Sequence, residues 1–134
     1  KKLREYIRWS LEWGERASAL LKAAADAGVP PPKSAVPPDL PEHLGKFIQE
    51  FWVLTTCRQY TMSGPGPIPW TAIDQYAERH GYAQDVLLYE DFIAYVTAID
   101  LEYLAVINEE TQRKQQEAES KGKAQAKQPK RSNW

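Results

Sequence analysis

Two histidines and one cysteine are the side chains of this chain best suited to metal binding or nucleophilic catalysis. His43 and His80 lie far apart and neither belongs to an H-E-x-x-H motif, so their spacing does not predict a zinc site. Cys57 and His80 could form a nucleophile and base pair, but a cysteine at the end of an aromatic helix is more often a small core residue. We therefore expect no metal, no other cofactor and no catalytic cysteine.

Carboxylates and a glycine-proline loop offer two further kinds of chemistry. Asp74 and Asp100 each follow an isoleucine, but Thr71-x-x-Asp74 matches a helix start signal, which explains Asp74 without catalysis. Asp100 is expected to pair with an arginine, either Arg58 or Arg79. The loop GPGP lacks the G-x-x-x-x-G-K pattern, and its prolines have no N–H to offer a phosphate. The residues thus predict that the protein is not an enzyme.

Composition and charge favour one folded body with a distinct tail. The chain has 134 residues, and its net charge of −1 divides into about −4 over residues 1 to 108 and +3 over residues 109 to 134. Five basic residues and no acidic one lie between Lys121 and Arg131. A lone cysteine suits a reducing compartment, and no apolar run is long enough to span a membrane. We expect a cytoplasmic protein with no membrane contact.

Apolar periodicity indicates an all-α fold. An apolar stripe with three- and four-residue steps predicts a long amphipathic helix over residues 1–28, ended by Gly28. Residues 29–40 are rich in proline and predict a stiff, extended connector. Asp39 is expected to cap a second helix, in which Gly45 would allow another helix to approach closely.

The remaining pattern completes a helical core over residues 41–108. A short third helix begins near Trp70 and is capped by Gly81, and Asp85 caps a fourth helix that is apolar on two sides and therefore central. No strand pattern is visible. The fold class is all-α, a small irregular bundle of about four helices, followed by a polar, basic and disordered tail over residues 109–134.

Aromatic residues exceed the need of so small a core. Because aromatic side chains are enriched where helical surfaces bind partners, some of them are expected to be contacts. The short helix after the proline-rich turn has the best position to present them. The candidate partner-binding residues are Trp70, Tyr76, His80, Trp9 and Trp13.

Residues 44 to 107 resemble a known family in four motifs: an aromatic helix ending in LTTCRQY, the loop MSGPGPIPW, the helix WTAIDQYAERHGY and the closing AIDLEYL. The run is similar to tail assembly chaperones of long-tailed bacteriophages. The resemblance implies a small, helical, non-enzymatic protein in the cytoplasm of the bacterial host. Its implied partners are the tape measure protein and the tail tube protein that polymerises around it.

Other partners remain open at this stage. The long N-terminal helix could mediate self-association. The basic tail could instead make the protein a structural or head-to-tail connecting module that contacts nucleic acid, but an acidic body and five dispersed charges make nucleic acid the weaker hypothesis.

Overall fold

Four α-helices form the architecture of the computed structural model, which describes residues 1 to 126. They are α1 (Lys2–Ala27), α2 (Glu42–Leu54), α3 (Trp70–Arg79) and α4 (Val86–Ala126). Short 3-10 turns at Lys33–Ala35, Thr55–Cys57 and Tyr82–Gln84 connect them. The predicted all-α fold class, with a long N-terminal helix, is confirmed.

Helix α4 is the central element, as its two apolar sides predicted. It packs against α1, α2 and α3, and the completely buried side chains of Phe92, Val96 and Ile99 lie on it. Phe51 of α2 and Ile7 of α1 are also fully buried in this core. The apolar stripe of α1 is therefore largely used within the chain, and self-association through this helix stays a prediction.

The proline-rich connector does not act as an extended spacer. It folds back on α1, because Ala35 has no solvent exposure and the indole Nε1 of Trp9 donates a hydrogen bond of 2.9 Å to the Ser34 carbonyl. A proline-rich segment can still make such contacts, since each proline keeps its carbonyl acceptor and an apolar ring. The connector thus belongs to the folded body.

Helix ends follow the predicted signals in part. Gly28 ends α1 in the left-handed region at φ 68°, and Gly81 follows α3 at φ 83°. Asp85 caps α4, because its Oδ1 accepts a hydrogen bond of 2.8 Å from the Leu87 N–H. The predicted cap at Asp39 is wrong: α2 begins at Glu42 with Pro41 before it and has no side-chain cap.

Two further expectations about local structure are corrected. A two-residue antiparallel pair, β1 (Tyr60–Thr61) with β2 (Gly64–Pro65), interrupts the helical pattern where no strand was predicted. Its brevity hides it, since two residues cannot display a period-two pattern. Gly45 is not a close-approach site, because no atom lies within 4 Å of the position its Cβ would occupy.

The C-terminal part of α4 also differs from the prediction. Residues 109 to 126 continue the helix where a disordered tail was expected, and residues 111 to 126 are all exposed. This segment is rich in Gln, Glu, Lys, Arg and Ala, which have high helix propensity and need no apolar partner to remain helical. The end of the predicted tail, including Trp134, lies outside the described residues.

Candidate partner-binding surface

A buried ion pair joins α4 to the loop that precedes α3. The guanidinium of Arg58, whose side chain has no solvent exposure, donates through Nη2 to Oδ1 of Asp100 at 2.6 Å. Its other donors bond the Thr55 hydroxyl at 2.9 Å and the Gly66 carbonyl at 2.7 Å. The predicted pairing of Asp100 with an arginine is confirmed, and the partner is Arg58.

The second oxygen of the Asp100 carboxylate binds the same loop at another point. Oδ2 of Asp100 accepts a hydrogen bond of 3.1 Å from the N–H of Ile68, whose side chain is buried. The ring of Tyr103 lies 4.4 Å from the guanidinium carbon of Arg58 and adds a cation–π contact. Residues 66 and 68 are therefore both fixed to the core, four and two residues before Trp70, respectively.

Trp70 is the first residue of α3 and is 60% exposed. Pro69 precedes it in extended conformation, at φ −60° and ψ 137°, and restricts how the chain enters the helix. Thr71 supplies no side-chain cap, so the predicted start signal is wrong in its details. Asp74 instead accepts a hydrogen bond of 2.6 Å from the hydroxyl of Tyr89 on α4.

Tyr76 and His80 form a stacked pair at the other end of α3. Their ring centroids lie 3.8 Å apart with an interplanar angle of 11°, and the Nδ1 of His80 lies 3.0 Å from the Tyr76 carbonyl. Tyr76 also stacks on buried Phe92, and its burial raises the pKa of its hydroxyl, with Glu50 nearby adding to the shift. The Tyr76 side chain is thus partly buried against the core, whereas the His80 side chain is exposed.

Trp9 and Trp13 lie on α1, so the five candidate residues do not form one patch along a single helix. Trp9 is half-buried against Tyr6 and the connector. The ring centroids of Trp9 and Tyr6 lie 5.7 Å apart. Trp13 is also half-buried and receives a cation–π contact from Arg16 at 5.6 Å. Both indoles are thus partly buried, which makes Trp70 the most exposed of the three candidate tryptophans.

A comparison with protein-family models identifies the family of this chain. A family model described as phage tail assembly chaperone matches residues 23 to 105, from the last turn of α1 into the middle of α4. The chain belongs to the phage tail assembly chaperone family. The resemblance drawn from the sequence is confirmed, and the match begins well before the residues that carried it. Searches of curated proteins and of solved structures gave no match.

Family membership gives the chaperone a role in tail assembly, and such a family is generally non-enzymatic. In the described part of the chaperone, residues 1 to 126, no three His, Cys, Asp or Glu side chains are grouped to hold a metal ion. Cys57 is exposed at the end of a 3-10 turn, so its expected core position is wrong. None of the helices within this range is long and apolar enough to cross a membrane.

Sequence reasoning missed several exposed apolar residues of the chaperone. Met62 protrudes from the turn between β1 and β2 with no burial, and Leu87 and Leu101 on α4 are 72% and 59% exposed. The signal was present for the two leucines, because their spacing of fourteen residues puts them on one face of a helix. Neither leucine belongs to the two apolar stripes that predicted the central position of this helix.

Proposed function

We propose that this protein is a non-enzymatic tail assembly chaperone that binds the tape measure protein in the cytoplasm of the bacterial host. Its apolar contact keeps the helices of that long partner from aggregating until tail tube protein polymerises around it. Membership of the chaperone family supports tail proteins as partners in general. The particular partner and the surface that binds it are our inference.

One observation carries the choice of surface: Trp70 is exposed on a backbone that cannot rearrange freely. A solvent-exposed tryptophan is costly in water and strengthens binding when a partner covers it. The ion pair of Arg58 and Asp100 fixes the preceding loop, so little conformational entropy is lost when a partner helix binds. We assign Trp70 as the anchor, Tyr76 as the half-buried floor of the contact and His80 as its flank.

Replacing Trp70 with alanine tests this surface. The change should weaken binding of an apolar helical fragment of the tape measure protein by about 2 kcal/mol or more, which is roughly thirtyfold in Kd. The free energy of unfolding should fall by only about 1 kcal/mol, because most of the side chain is already in water. Fluorescence anisotropy with a labelled fragment and urea unfolding measure the two quantities.

Met62→Ala is the matched control, since Met62 is an exposed apolar side chain on the β1–β2 turn instead of α3. It should leave the Kd unchanged. Equal losses of affinity in both variants would show nonspecific apolar binding and contradict a defined site. A Trp70→Ala variant that binds the fragment normally would show that Trp70 is not the anchor. A loss of about 3 to 5 kcal/mol in the free energy of unfolding, the cost of truncating a core aromatic, would show that Trp70 is a core residue.

A further inference from the structure

The N-terminal part of α1 supplies the contact of this helix with the main core. Leu3 and Ile7 are buried in one apolar cluster with side chains of α2 and α4. Tyr6 and Leu11 are half-buried and pack against the same cluster. Leu3, Ile7 and Leu11 follow one another at four-residue steps, so they lie on one face of the helix. α1 is thus attached to the body through a short apolar stripe.

The second half of α1 packs with the connector. Ala17 and Ala24 are buried, but within the described residues 1 to 126 they are not members of the core cluster. The 3-10 turn at Lys33–Ala35 contacts α1 and is part of the same layer. We call residues 2 to 35 the N-terminal arm, since α1 and the connector form one unit. Residues 36 to 39, of which three are exposed, join the arm to the body.

Two carboxylates of α4 bind the arm beside its apolar stripe. Arg8 donates through Nε to Oε1 of Glu102 at 2.7 Å and through Nη1 to Oε2 of Glu109 at 2.8 Å. All three side chains are partly exposed to solvent. Because solvated ion pairs contribute little stability, these bonds orient the arm more than they hold it on the body.

The match to the chaperone family leaves out the residues by which the arm reaches the core. It begins at residue 23 and includes all of α2 and α4 as far as residue 105, whereas the stripe of Leu3, Ile7 and Leu11 precedes it. We call the surface of α2 and α4 beneath this stripe the arm groove. The arm groove therefore lies on the part of the chain that the family shares, and its occupant lies outside that part.

We propose that the arm groove is a binding site for an amphipathic helix of a partner protein, and that the arm occupies the groove until the partner displaces it. The arm itself shows which helix fits. The partner carries apolar side chains at three positions four residues apart, as at Leu3, Ile7 and Leu11. It also carries a cation that pairs with Glu102 and Glu109, as Arg8 does.

The arm lowers the apparent affinity of the groove for this partner. Only the open fraction of the chain can bind, and the tether keeps the arm at a high effective concentration. The proposal does not rest on the contact assigned to Trp70, because the arm groove is formed by α2 and α4 and the test below uses no tape measure fragment. Failure of either assignment can therefore be recognised separately.

Binding of α1 in trans tests the groove in the full chain. The probe is a labelled synthetic peptide of residues 1 to 28, and its Kd is measured by fluorescence anisotropy. Ile7→Ala in the chain should lower the Kd for the wild-type peptide by about thirtyfold, because it truncates a fully buried side chain in the competing arm alone. Leu21→Ala, at an exposed position on the second half of α1, is the control and should leave the Kd unchanged.

Four results would overturn the proposal. One is an equal Kd for the wild-type and Ile7→Ala chains. Another is a peptide carrying Ile7→Ala that binds the Ile7→Ala chain as tightly as the wild-type peptide does. An Ile7→Ala chain without helical circular dichroism would show that the body needs α1 to fold. A wild-type dimer in sedimentation equilibrium that excess peptide dissociates would make a second copy the occupant.

Charge reversal tests the chemistry of the partner. In a chain with Glu102→Arg and Glu109→Arg, the peptide carrying Arg8→Glu should bind about tenfold more tightly than the wild-type peptide. The Ile7→Ala chain, which keeps both carboxylates, should show the opposite preference. The same order of affinities in both chains would contradict a cation of the partner at Glu102 and Glu109.

Discussion

Asp100→Ala is expected to be the most damaging single substitution on the loop side of α4. It removes the 2.6 Å hydrogen bond from Arg58 and the 3.1 Å hydrogen bond from the Ile68 N–H at once. The guanidinium left behind has no solvent exposure, and Thr55, Gly66 and the rings of Tyr103 and Phe51, none of them charged, remain around it. Breaking a buried ion pair by removing one partner costs about 3 to 5 kcal/mol.

That loss is large compared with the stability of a domain of this size, which is of order 5 to 15 kcal/mol. Urea unfolding followed by circular dichroism at 222 nm measures it. Asp100→Asn should cost less, because the amide oxygen still accepts from Arg58 although the amide nitrogen cannot accept from Ile68. Glu102→Ala, which breaks the more exposed pair with Arg8, should cost less again. An Asp100→Ala loss no greater than that of Glu102→Ala would refute the structural role of the buried pair.

Two further predictions concern alkaline pH and the end of α4. Burial and a hydrogen bond to Glu50 raise the pKa of Tyr82 well above its ordinary value of 10.0, so the folded state holds the phenolic proton more tightly than the unfolded state. The free energy of unfolding should therefore fall as pH rises above about 10. Tyr82→Phe should make this fall shallower, as measured by urea unfolding at pH 9 and 11. An unchanged pH dependence in the variant would contradict a role for Tyr82. Deleting residues 121 to 134 should leave the Tm nearly unchanged, because side chains 121 to 126 are exposed; a drop of many degrees would show that this segment packs on the body.

Local signals predicted the features that depend on neighbours in sequence. The left-handed glycines at positions 28 and 81 and the cap at Asp85 follow from backbone chemistry over a few residues. The pairing of Asp100 was predictable too, because a carboxylate beside an apolar helix face needs a cationic partner. The choice between Arg58 and Arg79 was not, since it depends on how the loop folds back.

Features that depend on tertiary contact escaped prediction. Pro41 and Pro69 occupy the positions immediately before α2 and α3, so Asp39 and Thr71 do not cap them. Asp74 is used by Tyr89, a contact fixed only when α3 packs on α4. Helix α4 continues past Asn108 because its polar residues favour helix on their own, whereas the prediction required an apolar face.

The buried pair also bears on the proposed contact at Trp70. Asp100 is buried and holds the loop before Trp70 by accepting a hydrogen bond from the Ile68 N–H. If Asp100 serves to preorganise Trp70, then Asp100→Asn should weaken fragment binding under conditions where the variant is still fully folded, because the loop regains conformational freedom. Loss of binding without loss of helicity would place the effect of Asp100 in the loop, whereas parallel losses would point to general destabilisation of α4.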